Sequence, residues 1–179
     1  ARVLMELGSF PARDFEALFQ GVYALPWENY IPRDGEFPVK GYSLNSQLHS
    51  VPACQSIVKK ASAKRLGEKY GVETLPESGS RYQIQFSIIK DVATLYLDTS
   101  GEGLYKRGYR AKNMGAPLRE TLAAALVTLS RYRGKDPFCD PFCGSGTIPI
   151  EAALIAKNRA PGLDRSFAAQ KWKNMDSKL

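Results

Sequence analysis

The sequence predicts an α+β module followed by the start of an α/β Rossmann-like unit that is incomplete within these 179 residues. Two patterns support this fold class. Apolar and polar residues alternate over 81–98 as in half-buried strands, and a glycine-rich turn at 140–147 leads directly into an apolar helical segment, as at a strand-to-helix turn of a parallel sheet. Because 44% of the residues are hydrophobic and 24% are charged, the chain can bury a core, which excludes a disordered protein.

The α+β module begins with a predicted strand over residues 3–10. Pro11 then opens a helical pattern. The apolar face of this helix consists of Phe15, Leu18, Phe19 and Val22. After a turn over residues 32–36, a further strand is predicted to begin with Phe37, Val39 and Gly41.

A longer helix follows, with Ser50 as its N-cap, Pro52 in its first turn and Gly71 at its C-terminal stop. Its buried stripe consists of Cys54, Ile57, Val58 and Ala61. Its outer side carries four lysines, which form either a solvated face or an RNA-binding face: Lys59, Lys60, Lys64 and Lys69.

Two strands joined by a tight turn are predicted next. The first has apolar residues at every second position, namely Tyr82, Ile84, Phe86 and Ile88. Lys90 and Asp91 form the turn, after which the alternation resumes with Ala93, Leu95 and Leu97. This pattern predicts an antiparallel hairpin.

Residues 101–115 are basic and glycine-rich without an apolar period, which indicates a link to a second unit. A helix over residues 116–130 is predicted after the link. Its expected buried side consists of Leu118, Leu122, Ala125, Leu126 and Leu129.

The net charge of +7 comes entirely from residues 101–179, because basic and acidic residues balance over residues 1–100. Residues 101–135 alone contain eight basic and two acidic residues. Such a segment attracts polyanions through phosphate neutralisation, although a solvated linker is the alternative. The candidate RNA-binding residues are Lys106, Arg107, Arg110 and Lys112.

The glycine-rich turn at 140–147 is the segment that indicates a ligand-binding site. A short strand is expected to end at Asp140, followed by a turn at Gly144 and Gly146 and a helix from Thr147. Glycines allow close approach of a ligand to the backbone, and the helix start supplies N–H donors. Gly146 is not followed by the Lys-Ser/Thr of a phosphate-binding loop. Pro149 replaces the third glycine of the dinucleotide fingerprint, so neither nucleotide class fits.

A carboxylate just before Gly-x-Gly fits S-adenosylmethionine, whose ammonium group can pair with Asp140 while its adenosyl part lies over the glycines. Glu151 in the first turn of the following helix either complements the helix dipole or contacts the ligand. The candidate cofactor-binding residues are Asp140, Pro141, Phe142, Cys143, Gly144, Ser145, Gly146 and Thr147.

The three cysteines, Cys54, Cys139 and Cys143, are too few and too irregularly spaced for a disulfide framework or a zinc site. We therefore expect no metal and a reducing, cytoplasmic location. No apolar run is long enough to span a bilayer, so no membrane association is expected.

The sequence DPFCGSGT at 140–147, followed by IPIEAALIA, closely resembles motif I of class I methyltransferases that modify amino groups, especially the THUMP-domain family of guanine-N2 RNA methyltransferases. The resemblance extends to the helix before motif I, the inter-domain segment and the start of the THUMP region, with the sequences GAPLRETLAAALV at 115–127, GEGLYKRGYR at 101–110 and RVLMELGSFPARDFEALFQGVYALPWENYI at 2–31. The bacterial 23S rRNA methyltransferase branch is the most similar, and proteins of this type are also called N6-adenine-specific DNA methylases.

The resemblance implies three parts: 1–10 as a remnant of an amino-terminal ferredoxin-like region, 11–105 as a THUMP-like RNA-binding module, and 106–179 as a linker and the amino-terminal part of the methyltransferase domain. The family's catalytic Asn/Asp-Pro-Pro-Tyr/Phe motif occurs nowhere in the sequence. The acidic residue that would hold the ribose hydroxyls is also missing. We therefore expect a fragment of a longer enzyme, with no catalytic residue in this chain.

By this resemblance, the expected function is S-adenosylmethionine-dependent methyl transfer to an exocyclic base amino group in RNA, with guanine N2 of 23S rRNA as the target. The implied partner is structured RNA, read through its shape and phosphates with the target base splayed out. Two alternatives remain open. One is methylation of adenine N6 in DNA, and the other is an RNA-binding adaptor without catalysis.

Overall fold

The computed structural model describes residues 1–110 and 117–173. They form two compact units. The first, called the sheet unit here, comprises Val3–Gly101 together with the described residues of Phe167–Leu179. The second, called the loop unit, comprises Ala1–Arg2 and the described residues of Glu102–Ser166.

The sheet unit contains a four-stranded sheet in the order β1-β4-β3-β2. Its strands are β1 (Leu4–Pro11), β2 (Val39–Leu44), β3 (Ile84–Ile89) and β4 (Val92–Asp98). The predicted antiparallel hairpin is confirmed by the pairing of β3 with β4. β1 adds to β4 in antiparallel orientation, whereas β2 lies parallel to β3.

The hairpin turn consists of Lys90 and Asp91, as predicted, and both residues have positive φ angles of 50° and 62°. Two consecutive left-handed residues are typical of the turns whose twist matches an antiparallel hairpin. The Asp91 carboxylate accepts hydrogen bonds from Ser46 Oγ and from the backbone N–H of Gln47, both at 2.8 Å. These bonds hold the turn and lower the pKa of Asp91.

Two helices pack against the sheet: α1 (Phe15–Ala24) and α2 (Val51–Tyr70). Both predicted helices form, and α2 stops at Gly71, which has a left-handed φ of 63°. The predicted opening of the first helix at Pro11 is wrong: Pro11 is the last residue of β1, and α1 begins at Phe15 because the Asp14 side chain caps it by accepting from the Ala17 N–H. The core between helices and sheet includes Leu18, Val22, Cys54, Val58, Ala61, Phe86, Leu95 and Leu97. Phe15, expected on the buried face of α1, is 42% exposed because it lies in the first turn of the helix.

A segment distant in sequence completes the sheet unit. Trp172, only 8% exposed, stacks on Tyr82 and donates a hydrogen bond from Nε1 to the carbonyl of Arg81 at 3.0 Å. The backbone N–H of Ala169 donates to the Thr99 carbonyl at 3.1 Å. The core of this unit therefore depends on residues that follow the loop unit along the chain.

The loop unit contains α3 (Glu120–Leu129) and α4 (Thr147–Ala156), which pack against each other. Within this chain, the predicted buried side of α3 is exposed at Leu122, Ala125, Leu126 and Leu129, and the face with Glu120, Ala123 and Val127 is buried. α4 packs against α3, and the small and branched side chains of Ala123 and Val127 belong to the buried face.

The predicted strand ending at Asp140 does not form in the described part of the loop unit. A strand needs a neighbour to satisfy its backbone hydrogen bonds, and the described residues of this unit contain none. Residues 137–140 instead have no regular secondary structure. In the described ranges, no helix is long and apolar enough to cross a membrane.

Candidate functional site

The glycine turn before α4 contains two residues in the left-handed region. Gly144 has a φ of 54° and Gly146 a φ of 75°, a conformation that side chains strongly disfavour. A Cβ placed on Gly144 would meet no atom within 4 Å, so the space beside this residue is open. The turn thus exposes its backbone on one side, as a loop that receives a ligand must.

The residues before Gly144 present polar and aromatic groups to solvent. The half-exposed Asp140 accepts a hydrogen bond at Oδ1 from the backbone N–H of Phe142 at 3.2 Å, which fixes the first turn. The Phe142 side chain is 94% exposed. The carboxylate of Asp140 therefore keeps acceptor capacity for an ammonium group.

α4 begins directly after the turn, with Gly146 as its N-cap, and the predicted helix start at Thr147 is confirmed. Because glycine has no side chain, Gly146 provides no capping acceptor for the first N–H groups of the helix. These donors and the positive end of the helix dipole lie next to the open side of the loop.

Arg110 connects three parts of the loop unit. Its Nη1 donates to Ser145 Oγ at 3.2 Å, and its Nη2 donates to Thr147 Oγ1 at 2.9 Å. Its Nε pairs with Glu120 Oε1 at 3.0 Å. The side chains of Arg110 and Glu120 are only 19% and 9% exposed, so this ion pair is largely removed from water.

A second ion pair lies one turn further along α4. Glu151 is 2% exposed, and its carboxylate accepts hydrogen bonds from Arg107 Nη2 at 3.3 Å and from the hydroxyl of Tyr109 at 3.1 Å. Burial and the neighbouring Glu151 carboxylate raise the pKa of Tyr109 well above its usual value. Tyr109 is therefore a neutral donor, and Glu151 has partners within the protein.

Of the four candidate RNA-binding residues, only Lys106 is well exposed in the described structure, where it pairs with Glu102 at 2.6 Å. Arg107 and Arg110 contact the buried carboxylates and the loop. Lys112 lies outside the described residues. RNA contact through this segment stays a prediction.

The sequence alone did not reveal Glu120 and Glu151 as partners of the basic segment, nor the contact of Tyr109 with Glu151. The sequence does contain an indication, because Glu151 is an acidic residue inside an apolar helical segment and Glu120 directly precedes one. Buried carboxylates require a paired cation, and the nearest basic cluster in sequence supplies it.

The lysines on the outer side of α2 are also ion-paired for the most part. Lys59 pairs with Glu77 at 2.7 Å, and Lys64 and Lys69 lie 4.0 and 3.7 Å from Glu68 and Glu28. This arrangement favours the solvated face over the RNA-binding face.

Two known domain families match the chain. Residues 12–98 match the THUMP domain, and residues 107–178 match a family described as "RMKL-like, methyltransferase domain". The second match includes the glycine loop, both helices of the loop unit and the segment with Trp172.

Several relatives match nearly the whole chain. "Putative RNA methyltransferase YpsC" of Bacillus subtilis is 49% identical over 96% of this chain, and "Ribosomal RNA large subunit methyltransferase K/L" of Psychromonas ingrahamii is 38% identical over 98%. The chain spans only 45% and 24% of their respective lengths.

Solved structures of similar proteins share the fold. A predicted N6-adenine-specific DNA methylase from Listeria monocytogenes superposes with a TM-score of 0.94 at 52% identity over 99% of this chain and 47% of its own. "SMU.472, a putative methyltransferase complexed with SAH" gives a TM-score of 0.90 at 48% identity over 98% of this chain and 47% of its own. The predicted resemblance is confirmed: the chain carries a THUMP domain followed by part of an RMKL-like methyltransferase domain.

Proposed function

We propose that the intact protein is an enzyme that transfers the methyl group of S-adenosylmethionine to an exocyclic amino group of a base in RNA. The proposed target is guanine N2 in 23S ribosomal RNA, and the proposed location is the cytoplasm. The THUMP and methyltransferase domain matches support this class of reaction, and a relative named as a methyltransferase of large-subunit ribosomal RNA supports that RNA as the substrate. The choice of guanine N2 rests on the resemblance described for the sequence.

The observation that carries the proposal is the open glycine turn at the start of α4. Gly144 adopts a left-handed conformation with free space beside it, and Gly146 leaves the first N–H groups of α4 without a side-chain cap. The cofactor fits this donor set, because its hydroxyl and carboxylate oxygens can accept from N–H groups while its ammonium group pairs with a carboxylate. A similar protein is described as complexed with SAH, the demethylated form of the cofactor.

Each loop residue has a proposed task. Asp140 pairs with the ammonium group of the cofactor, and Gly144 lets the adenosyl part lie close to the backbone. Pro141, Phe142 and Cys143 form the exposed edge of the loop, whereas Ser145, Gly146 and Thr147 join it to α4. When bound, the cofactor supplies an electrophilic methyl group on its sulfonium.

DNA is the second candidate substrate, because a similar structure carries the description of an N6-adenine-specific DNA methylase. A THUMP domain over residues 12–98 favours RNA, since structured RNA is recognised through shape and phosphate contacts by a dedicated module. The non-catalytic adaptor is the third candidate.

Calorimetry of the intact protein with S-adenosylhomocysteine tests the cofactor site. Asp140→Ala and Gly144→Val should both weaken binding, the second because a branched side chain would fill the open space beside the loop. Gly71→Val is a matched control, because Gly71 has a similar φ of 63° and equally open surroundings in the sheet unit. Equal affinity in all three variants would overturn the loop assignment.

The substrate is tested with S-adenosylmethionine labelled at its methyl group. Ribosomal RNA from cells that lack the protein, transfer RNA and DNA are offered in parallel, and the modified base is identified by mass spectrometry. Label in N2-methylguanine of 23S RNA supports the proposal. Label in DNA adenine supports the second candidate, and binding of RNA without any label supports the adaptor.

A further inference from the structure

The basic segment before α3 places one guanidinium against the cofactor loop rather than in solvent. Arg110 uses its Nη1 and Nη2 groups for Ser145 and Thr147, and its Nε for Glu120. With 19% of its side chain exposed, it has little surface left for a phosphate. Arg110 therefore links Glu120, Ser145 and Thr147 within the loop unit, an arrangement called the clamp here.

The two hydroxyls lie on either side of the residue where loop becomes helix. Ser145 precedes Gly146 and Thr147 follows it, and Gly146 is the left-handed N-cap of α4. A glycine at such a junction has wide conformational freedom. Contacts to both neighbours restrict it, because one rigid planar group fixes the positions of two side chains two residues apart.

The hydrogen bonds from Arg110 have a fixed direction, whereas either hydroxyl can donate to the other. A guanidinium can only donate, so the oxygens of Ser145 and Thr147 both accept from Arg110. The two hydroxyls lie 3.1 Å apart and share one hydrogen between them. One hydroxyl hydrogen is left over, and no group in the described ranges accepts it. Because Thr147 is 3% exposed and Ser145 is half-buried, the hydroxyl of Ser145 is the one able to offer it to a ligand.

Glu120 makes this clamp compatible with the proposed cofactor. An uncompensated guanidinium below the loop would repel a sulfonium and an ammonium group. The carboxylate of Glu120, 9% exposed and 3.0 Å from Arg110 Nε, balances that charge. The buried pair thus supplies donors to the loop without adding a net positive charge.

We propose that Arg110 is a positioning residue for S-adenosylmethionine: by clamping the hydroxyls of Ser145 and Thr147, it holds the loop in its binding conformation and turns one hydroxyl hydrogen toward an acceptor oxygen of the cofactor. This role rests on the proposed function of the loop. The proposal assigns Arg110 to the cofactor site, whereas the positive charge of residues 101–135 by itself suggests that Arg110 binds RNA.

The test is calorimetric titration of the intact protein with S-adenosylhomocysteine. Arg110→Gln should raise the dissociation constant about tenfold, the effect expected from losing charge-assisted hydrogen bonds. Arg110→Lys keeps a cation beside Glu120 but loses the planar fork, so it should fold and still bind weakly. Arg159→Gln is the control, because it removes an arginine and an exposed ion pair with Asp164 from the same unit away from the loop.

A double-mutant cycle separates positioning from a loss of stability. Thr147→Val removes one clamped oxygen while keeping the size of the side chain. If Arg110 acts through this oxygen, the loss of affinity on adding Arg110→Gln to Thr147→Val should be much smaller than in the original protein. Fully additive losses would overturn the proposal.

The failure of this inference is distinguishable from the failure of the proposed function. If Asp140→Ala weakens binding but Arg110→Gln and Arg110→Lys bind like Arg159→Gln, the positioning role is wrong and the cofactor site stands. If the unmodified intact protein does not bind S-adenosylhomocysteine, both the positioning role of Arg110 and the proposed cofactor site are wrong.

Discussion

The indole of Trp172 stacks on the ring of Tyr82, with centroids 5.0 Å apart and planes 21° from parallel. Tyr82 and Trp172 are 90 residues apart in the sequence, and the described residues of Glu102–Ser166, which belong to the loop unit, lie between them along the chain. The Tyr82 ring is fully buried and Trp172 nearly so, which makes this pair part of the core of the sheet unit. The stability of the THUMP domain therefore depends on residues that match the methyltransferase family.

Trp172→Ala should destabilise the sheet unit by about 3 kcal/mol, since it removes a buried aromatic ring and leaves a cavity. Trp172→Phe keeps most of the stacking and loses the hydrogen bond to Arg81, so it should cost about 1 kcal/mol. Chemical denaturation followed by fluorescence of Trp27 measures both. An unchanged midpoint for Trp172→Ala would show that the segment does not contribute to this core.

The two units of this chain should differ in hydrogen exchange. The core cluster of buried apolar residues lies in the sheet unit. The helix pair of the loop unit buries Ala123, Val127 and Ala152 and two ion pairs in the described ranges. Amides of 148–156 should therefore exchange faster than those of 84–97. Equal protection would contradict this expectation.

The acid stability of the sheet unit should depend on Glu28. Hydrogen bonds from Arg65 hold the pKa of Glu28 below its ordinary value of 4.5, despite partial burial. The pair contributes full stability above the unfolded pKa of glutamate, and this contribution is lost as the pH falls through the lower, folded pKa.

Glu28→Gln should accordingly lower stability at neutral pH and flatten its decline in acid, as measured by denaturation at a series of pH values. Glu73→Gln is the control, because it changes the charge equally at an exposed position. A decline as steep as in the original protein would show that Glu28 does not titrate in this way.

RNA binding by the basic segment should be visible in the salt dependence of affinity. Removing one phosphate-binding cation should reduce the slope of log affinity against log salt by about 0.9 for a duplex. We expect Lys106→Ala to flatten the slope and to raise the Michaelis constant for RNA, with cofactor binding intact. Arg107 and Arg110 are left unchanged, because both pair with buried carboxylates. An unchanged slope in Lys106→Ala would show that this exposed cation of the segment does not contact RNA.

The elements themselves could be predicted because their causes are local. Alternation from Tyr82 to Leu97 predicted the hairpin, and Ser50 and Gly71 predicted the limits of the longer helix. The glycine turn and the start of α4 could be predicted for the same reason, since Gly144 and Gly146 are the residues that tolerate left-handed backbone.

Contacts between distant residues required the tertiary structure. The spacing of the leucines in α3 predicted that their side of the helix is buried. Burial depends on which face neighbouring elements cover, and within this chain the buried face is the one with Ala123 and Val127. The parallel pairing of β2 with β3 likewise has no local signal. By itself, the sequence determined the hairpin, the longer helix, the glycine turn with the start of α4 and the resemblance to a family. Only the structure decided that Arg110 turns inward to the cofactor loop, because that depends on the buried carboxylate of Glu120 and the hydroxyls of Ser145 and Thr147 meeting at one point.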